Sequence, residues 1–155
     1  MDPQNVFKIK TINNVTVANK PISIDVNPNT NGVYVTNGTG MVYMINGFTN
    51  KIIDNITLDT NTNELFINPV NNNLHIIDSF DDTIFSVNTS KNAIAIHMDN
   101  RSFTMAIDPS NNILYVLSYF SDTVSMINGT NNVPIFGITF KINSEGLGNT
   151  NNEIK

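Results

Sequence analysis

At 155 residues, with 14% of them charged and a formal charge of −5, the chain fits one domain, and its eight Lys and Arg are spread singly along it. The lack of a positive patch to neutralise phosphates argues against nucleic acid and anionic membrane surfaces as partners. No Cys is present, which removes disulfides and thiolate chemistry, while the absence of a long apolar run and of an apolar segment in Met1 to Lys10 predicts neither a membrane span nor a signal peptide.

Taken in chain order, residues 6–17 hold a first apolar phrase, ending Asn13, Asn14, Val15, Thr16, Val17, which is read as the outer strand of a preceding unit. Ile22, Ile24 and Val26 then alternate with polar residues up to Asn27-Pro28, as in a strand covered on one face. Val33 to Thr36, Val42 to Asn46 and Lys51 to Leu58 follow as further strands, separated by Asn31-Gly32, Asn37-Gly38 and Asn46-Gly47, residues that supply positive φ at turns.

The same four phrases return twice. Leu65 to Pro69, Leu74 to Ile77, Ile84 to Asn88 and Ala93 to Met98 make a second set, and Phe103 to Pro109, Leu114 to Leu117, Val124 to Asn128 and Val133 to Phe140 a third. Pro28, Pro69 and Pro109 lie 41 and 40 residues apart, and Tyr34, His75 and Tyr115 keep that spacing. The third phrases are 42 and 40 apart, the extra residue falling in the loop 78–83. Asn128-Gly129 marks one more turn, and no stretch keeps a helical period, so the chain is read as all-β.

The second and third strands are apolar at both parities, which predicts sheets covered on both faces by neighbouring sheets. The divisions are therefore 6–17 for the preceding unit's outer strand, then whole four-stranded antiparallel units at 21–61, 62–101 and 102–142. Residues 143–155 are the truncated start of a further unit or a disordered tail.

Tyr34-Val35-Thr36-Asn37 is the tetrapeptide that names the YVTN repeat family, and Pro21, Ser23, Ile24, Val26, Asn27 and Pro28 before it and Val42 to Ile45 after it extend the match. Over residues 6 to 142 the chain resembles that family. The resemblance implies a β-propeller segment of about three blades plus one N-terminal strand, not closed within one chain. It further implies an extracellular or cell-surface, surface-layer setting in an archaeon or bacterium. Three blades leave two apolar faces bare, so self-association or docking to further blades is expected.

In a propeller the second-to-third and fourth-to-first loops share one face. Here that face carries Asp78, Phe80, Asp81, Asp82, Arg101, Tyr119, Phe120 and Asp122, with Lys20, Asp59 and Asp99 around them. Loop rings among carboxylates suit a protein or carbohydrate partner; the competing reading folds Phe80, Tyr119 and Phe120 back over blade edges. Asp78, Asp81 and Asp82 lack a full calcium-loop pattern and read as a solvated acidic turn, while His75 and His97 lack further zinc ligands and His75 reads as packed. With no nucleophile-base-acid spacing, no metal site and no cofactor motif, the chain is expected to be a noncatalytic recognition or structural module. The alternative is part of a lactonase- or lyase-type propeller enzyme whose active site needs the complete ring.

Overall fold

In the computed structural model, residues 13–17, 20–98, 102–135 and 140–141 are described, and they form three antiparallel sheets with no helix among them. The first sheet runs β1 (Ser23–Asn27), β2 (Gly32–Thr36), β3 (Met41–Asn46), β4 (Lys51–Thr57), each strand paired with its chain neighbour. β5 (Glu64–Ile67), β6 (Leu74–Asp78), β7 (Thr83–Val87) and β8 (Ala93–His97) repeat that order. The third sheet has β9 (Ser102–Asp108), β10 (Ile113–Ser118) and β11 (Thr123–Asn128). Its fourth place is shared by two short strands, β12 (Val133–Pro134) and β13 (Phe140–Lys141), both paired with β11. Of the single strand expected over 133–140, these two pieces pair with β11 in different registers, and Pro134, which has no N–H to give a ladder, sits in the first.

Turn geometry repeats with the strands. Asn31, Asn72 and Asn112 take φ of 53, 61 and 55° in the first-to-second turns, and Asn50, Lys91 and Asn132 take 53, 63 and 59° in the third-to-fourth turns. Asn46-Gly47 and Asn128-Gly129 are therefore not the left-handed positions themselves. Their glycines serve close approach instead, since a Cβ on Gly47 would lie 2.5 Å from the Asn31 carbonyl oxygen and one on Gly129 2.5 Å from Asn112 Oδ1.

Two apolar layers lie between the three sheets. Val42 and Leu58 of the first unit meet Leu65, Ile67, Leu74, Ile76 and Val87 of the second, with Tyr34 and Phe85 packed alongside. Ile77, Ile84 and Ile96 on the second sheet's other face meet Met105, Leu114, Val116 and Ile127 of the third. The middle sheet is consequently covered twice, and every residue of β6 is buried, which is why its sequence shows no alternation. The first sheet has one covered face. Ile24 and Val26 are 64% and 44% exposed where their counterparts Leu65 and Ile67 are 2% and 5%, so the alternation of β1 points to a bare face and not to the core. Residues 13–17 carry no strand pairing among the described residues, and Val15 and Val17 border the exposed face beside Ile22 and Ile24. Residues 6–12 and 143–155 lie outside the described residues.

Between blades the sheets are tied by asparagine. Asn27 Nδ2 donates to Asn72 Oδ1 at 2.8 Å, and one repeat later Asn68 Nδ2 donates to Asn112 Oδ1 at 2.7 Å. Asn27 and Asn68 are completely buried, and each spends its own Oδ1 on the backbone N–H two residues on. Asn71 Nδ2 reaches the Gly129 carbonyl at 2.7 Å on the same rim. Nearer the axis, Asp25 Oδ2 accepts the Ile67 N–H at 2.9 Å and Ser23 Oγ the Leu65 N–H at 3.2 Å, satisfying the free edge of β5 with side chains. In the third blade the ladder position is Asp108, whose carboxylate accepts from the hydroxyl and N–H of Ser110 and is held below the usual carboxylate range by those bonds.

A buried amide that both donates and accepts cannot be trimmed without stranding its partners. Asn68→Ala should lower unfolding stability by about 2 kcal/mol in urea melts, whereas Asp108→Ala, at a half-buried site with no inter-blade bond among the described residues, should stay within about 0.5 kcal/mol.

His75 takes the core position that Tyr34 and Tyr115 hold in the other blades. It is completely buried, neither ring nitrogen has a partner, and burial pushes its pKa down to about 4. The folded protein thus holds His75 neutral, while the unfolded chain binds a proton below about 6.5. Stability should be full above pH 6.5 and fall by up to about 3 kcal/mol between pH 6.5 and 4. In His75→Leu that part of the pH dependence should vanish, as measured by denaturant midpoints across the window.

Candidate functional site

Antiparallel order puts the first-to-second and third-to-fourth turns, with the asparagine ladder, on one rim. The second-to-third and fourth-to-first connections form the other. On that second rim Gly40, Asp82 and Asp122 take the left-handed conformation, at φ of 81, 50 and 52°, each just before the third strand. Asp82 and Asp122 are thus turn residues first, tolerated there because Asp adopts positive φ more readily than most side chains. The Asp82 carbonyl also accepts the Met98 N–H at 2.7 Å.

Asp78 is completely buried, and its Oδ1 accepts the N–H groups of Phe80 at 2.8 Å and Asp81 at 3.3 Å. Asn37 does the same work in the first blade, accepting from the N–H groups of Thr39 and Met41 at 3.1 and 3.3 Å. Asp78 is therefore a turn-building residue and not, as its loop position had indicated, a group on the solvent face. The acidic turn it shares with Asp81 and Asp82 is correspondingly dispersed: one carboxylate points into its own turn and Asp81 is exposed. Among the described residues no three His, Cys, Asp or Glu gather as metal ligands do. His97 Nδ1 lies 3.1 Å from Thr83 Oγ1.

Between blades two and three this rim opens into a cleft of about 360 Å³ lined by Ser79, Phe80, Ser102, Phe103, Tyr119 and Phe120. The four rings are exposed: Phe80 70%, Phe103 64%, Tyr119 68% and Phe120 65%. Tyr119 and Phe120 meet edge to face, with ring centroids 5.1 Å apart. Phe80, Tyr119 and Phe120 do not fold back over blade edges. After the equivalent positions Asn37, Asp78 and Ser118, their loops hold four residues (79–82 and 119–122) where the first blade closes the same turn with Gly38-Thr39-Gly40, and the added residue carries the rings outward.

Phe103 has a separate cause. β9 and β10 pair Leu117 with Thr104 and Ser118 with Ser102, so Phe103 is the unpaired residue of a β-bulge. The alternation of Phe103 with Met105 and Ile107 would place all three on the core face; the bulge breaks that parity, buries Ser102 and turns Phe103 into the cleft. Ser102 is completely buried, and its Oγ has no hydrogen-bond partner; nor has that of Ser118 opposite it. One repeat earlier the counterpart Thr62 is bonded to Thr36 through their hydroxyls. Thr36 corresponds to Ile77 in the second blade, a side chain with no group to pair with a hydroxyl.

Asp81 and Asp122 are exposed on these loops and Asp82 is half-buried, but none lines the cleft. Lys20 and Asp59 are exposed on other connections, and Arg101 and Asp99 lie outside the described residues.

Sheets so ordered and stacked are blades of a β-propeller, and solved structures agree. The chain superposes on Kuenenia stuttgartiensis hydrazine synthase with a TM-score of 0.68 at 16% identity, covering 83% of this chain and 38% of that one. A catalytically inactive virginiamycin B lyase from Staphylococcus aureus, with Quinupristin, gives a TM-score of 0.66 at 14% identity, covering 80% and 42% of the two chains. A streptogramin B lyase gives 0.65 at 10% identity, covering 79% and 42%. No protein-family model and no curated protein matches the sequence. The chain spans about two fifths of the length of these structures, and at such identities the likeness is one of fold.

The expectation of a noncatalytic chain does not stand. Lyases are built on this fold, and where an active site is assembled from several blades, the lack of a catalytic spacing within three of them excludes nothing.

Because Asn37 builds the same turn with an amide oxygen, Asp78→Asn should unfold within about 0.5 kcal/mol of the parent. Asp78→Ala should lose about 1–2 kcal/mol in the same urea titration.

Proposed function

We propose that this chain is the recognition portion of a YVTN-type β-propeller at a cell surface or in the extracellular space, binding a protein or carbohydrate partner through the ring-lined cleft of its loop rim. One observation carries the reading: four exposed aromatic side chains from three separate segments line a single cleft. Singly exposed rings are ordinary, but a converging set is the signature of a binding surface, since rings supply large contact area at low cost in side-chain entropy. The Tyr34 to Asn37 tetrapeptide supports the family and its setting. The bare strip at Ile22, Ile24 and Val26 supports docking of a further blade or a second copy on the first sheet.

A second reading has its own support. Virginiamycin B lyase shares this fold over 80% of the chain, so the loop rim also suits one sector of a lyase-type active site completed by further blades.

The test is binding of the purified chain to arrayed glycans and peptides of defined structure. Phe80→Ser with Phe120→Ser should cut retention at least tenfold with no fall in melting temperature, both rings being exposed. Phe48→Ser, at a ring 79% exposed on the opposite rim, should change nothing. Retention lost with Phe48→Ser and kept by the cleft variant would move the binding face to the other rim.

A further inference from the structure

The chemistry of the cleft narrows its ligand. Among the described residues its lining is four aromatics and two serines, with no acidic or basic side chain, in a chain of formal charge −5. An anion would meet the negative faces of the rings with no cation among the described lining residues to offset them. An ammonium group would be drawn to those faces, yet Asp81, Asp82 and Asp122 do not line the cleft, and Asp78 is turned into its own loop, so no carboxylate among the described residues stands there to neutralise it.

A purely apolar ring would stack well and leave the Ser102 hydroxyl as it is, buried and unpaired, which is the costly state for such a group. Every other feature of the bulge points to that hydroxyl. The bulge draws Ser102 inward and aims Phe103 outward beside it, and the Ile77 position denies it the partner that Thr62 enjoys. The flanking rings are about two-thirds exposed and rotate quickly, so a ligand edge reaches Ser102 by displacing a ring and not the sheet. At about 360 Å³ the cleft is at the small end of ligand sites, which commonly run from roughly 300 to 1,000 Å³.

We infer that the cleft takes a neutral sugar ring, its C–H face against Phe80, Phe103, Tyr119 or Phe120 and one hydroxyl paired with Ser102 Oγ. This rests on the loop-rim reading above and adds to it the ligand class and the residue that selects it. Ser102 is a specificity residue: the rings hold any flat apolar body, and the hydroxyl favours one that brings a hydrogen bond.

The experiment is an amide chemical-shift titration of the ¹⁵N-labelled chain with four probes: maltotetraose, cellotetraose, a tetrameric hexuronate and benzyl alcohol. One of the two neutral tetrasaccharides should shift the amides of Ser79, Phe80, Ser102, Phe103, Tyr119 and Phe120, and the uronate should bind at least tenfold more weakly. Ser102→Ala should weaken the sugar about five- to tenfold, leave benzyl alcohol unchanged, and melt no lower than the parent because the hydroxyl it removes has no partner. Neutral sugars that leave the cleft amides unmoved, or that bind Ser102→Ala as tightly as the parent, overturn the inference. If benzyl alcohol alone moves those amides, the sugar falls and the cleft survives as a site for an apolar partner. If no probe moves them and the Phe80/Phe120 variant keeps its array binding, the loop-rim reading falls as well.

Discussion

A sheet of four short strands that is apolar on both faces has to be covered twice, and everything else in this molecule follows from that. The middle blade meets the requirement, with β6 buried throughout and its two faces pressed against Val42 and Leu58 on one side and Leu114, Val116 and Ile127 on the other. Apolar contact alone is non-directional and would let the sheets slide past one another. The buried amides of Asn27 and Asn68, each satisfied only when its partner asparagine in the next blade stands opposite, fix the register of the stack.

That lock sits on one rim, and the division of labour between the rims explains where variation is found. The ladder rim repeats nearly residue for residue, because Asn27 and Asn68 answer to Asn72 and Asn112, and the turns close on left-handed residues, asparagine at every one but Lys91. The loop rim has no such obligation. There Gly38-Thr39 of the first blade gives way to Ser79-Phe80-Asp81 and Tyr119-Phe120-Ser121, and the only constraints retained are the turn-building acceptor at Asn37 or Asp78 and the left-handed residue before the third strand. Loops free of a packing duty on a rigid scaffold are where a fold of this kind acquires specificity.

The scaffold was legible in the sequence because its signals are periodic. Pro28, Pro69 and Pro109, and Tyr34, His75 and Tyr115, recur at a spacing that one short strand pattern cannot mimic. The rings at Phe80, Tyr119 and Phe120 were legible as loop residues, but their exposure was not, since ring burial depends on what lies across the blade boundary. Phe103 and Ser102 were invisible for a sharper reason: a one-residue bulge reverses strand parity, and nothing in the run Ser102 to Asp108 announces it. Asp78 was misplaced because a carboxylate in a loop reads as solvated unless its repeat counterpart, Asn37, is seen to be a turn former. The noncatalytic expectation failed by treating three blades as a whole site, although this chain covers only 42% of each of the solved lyases that share this fold.

Stacking of the second and third sheets through Ile77 and Ile84 against Leu114, Val116 and Ile127 creates the boundary at which the cleft opens, so it is the claim on which fold and site both stand. A methyl NOESY spectrum of the selectively labelled chain measures it directly. The account predicts cross-peaks joining the Ile77 and Ile84 methyls to those of Leu114, Val116 and Ile127. Cross-peaks confined within each sheet, with none between the two groups, would contradict it.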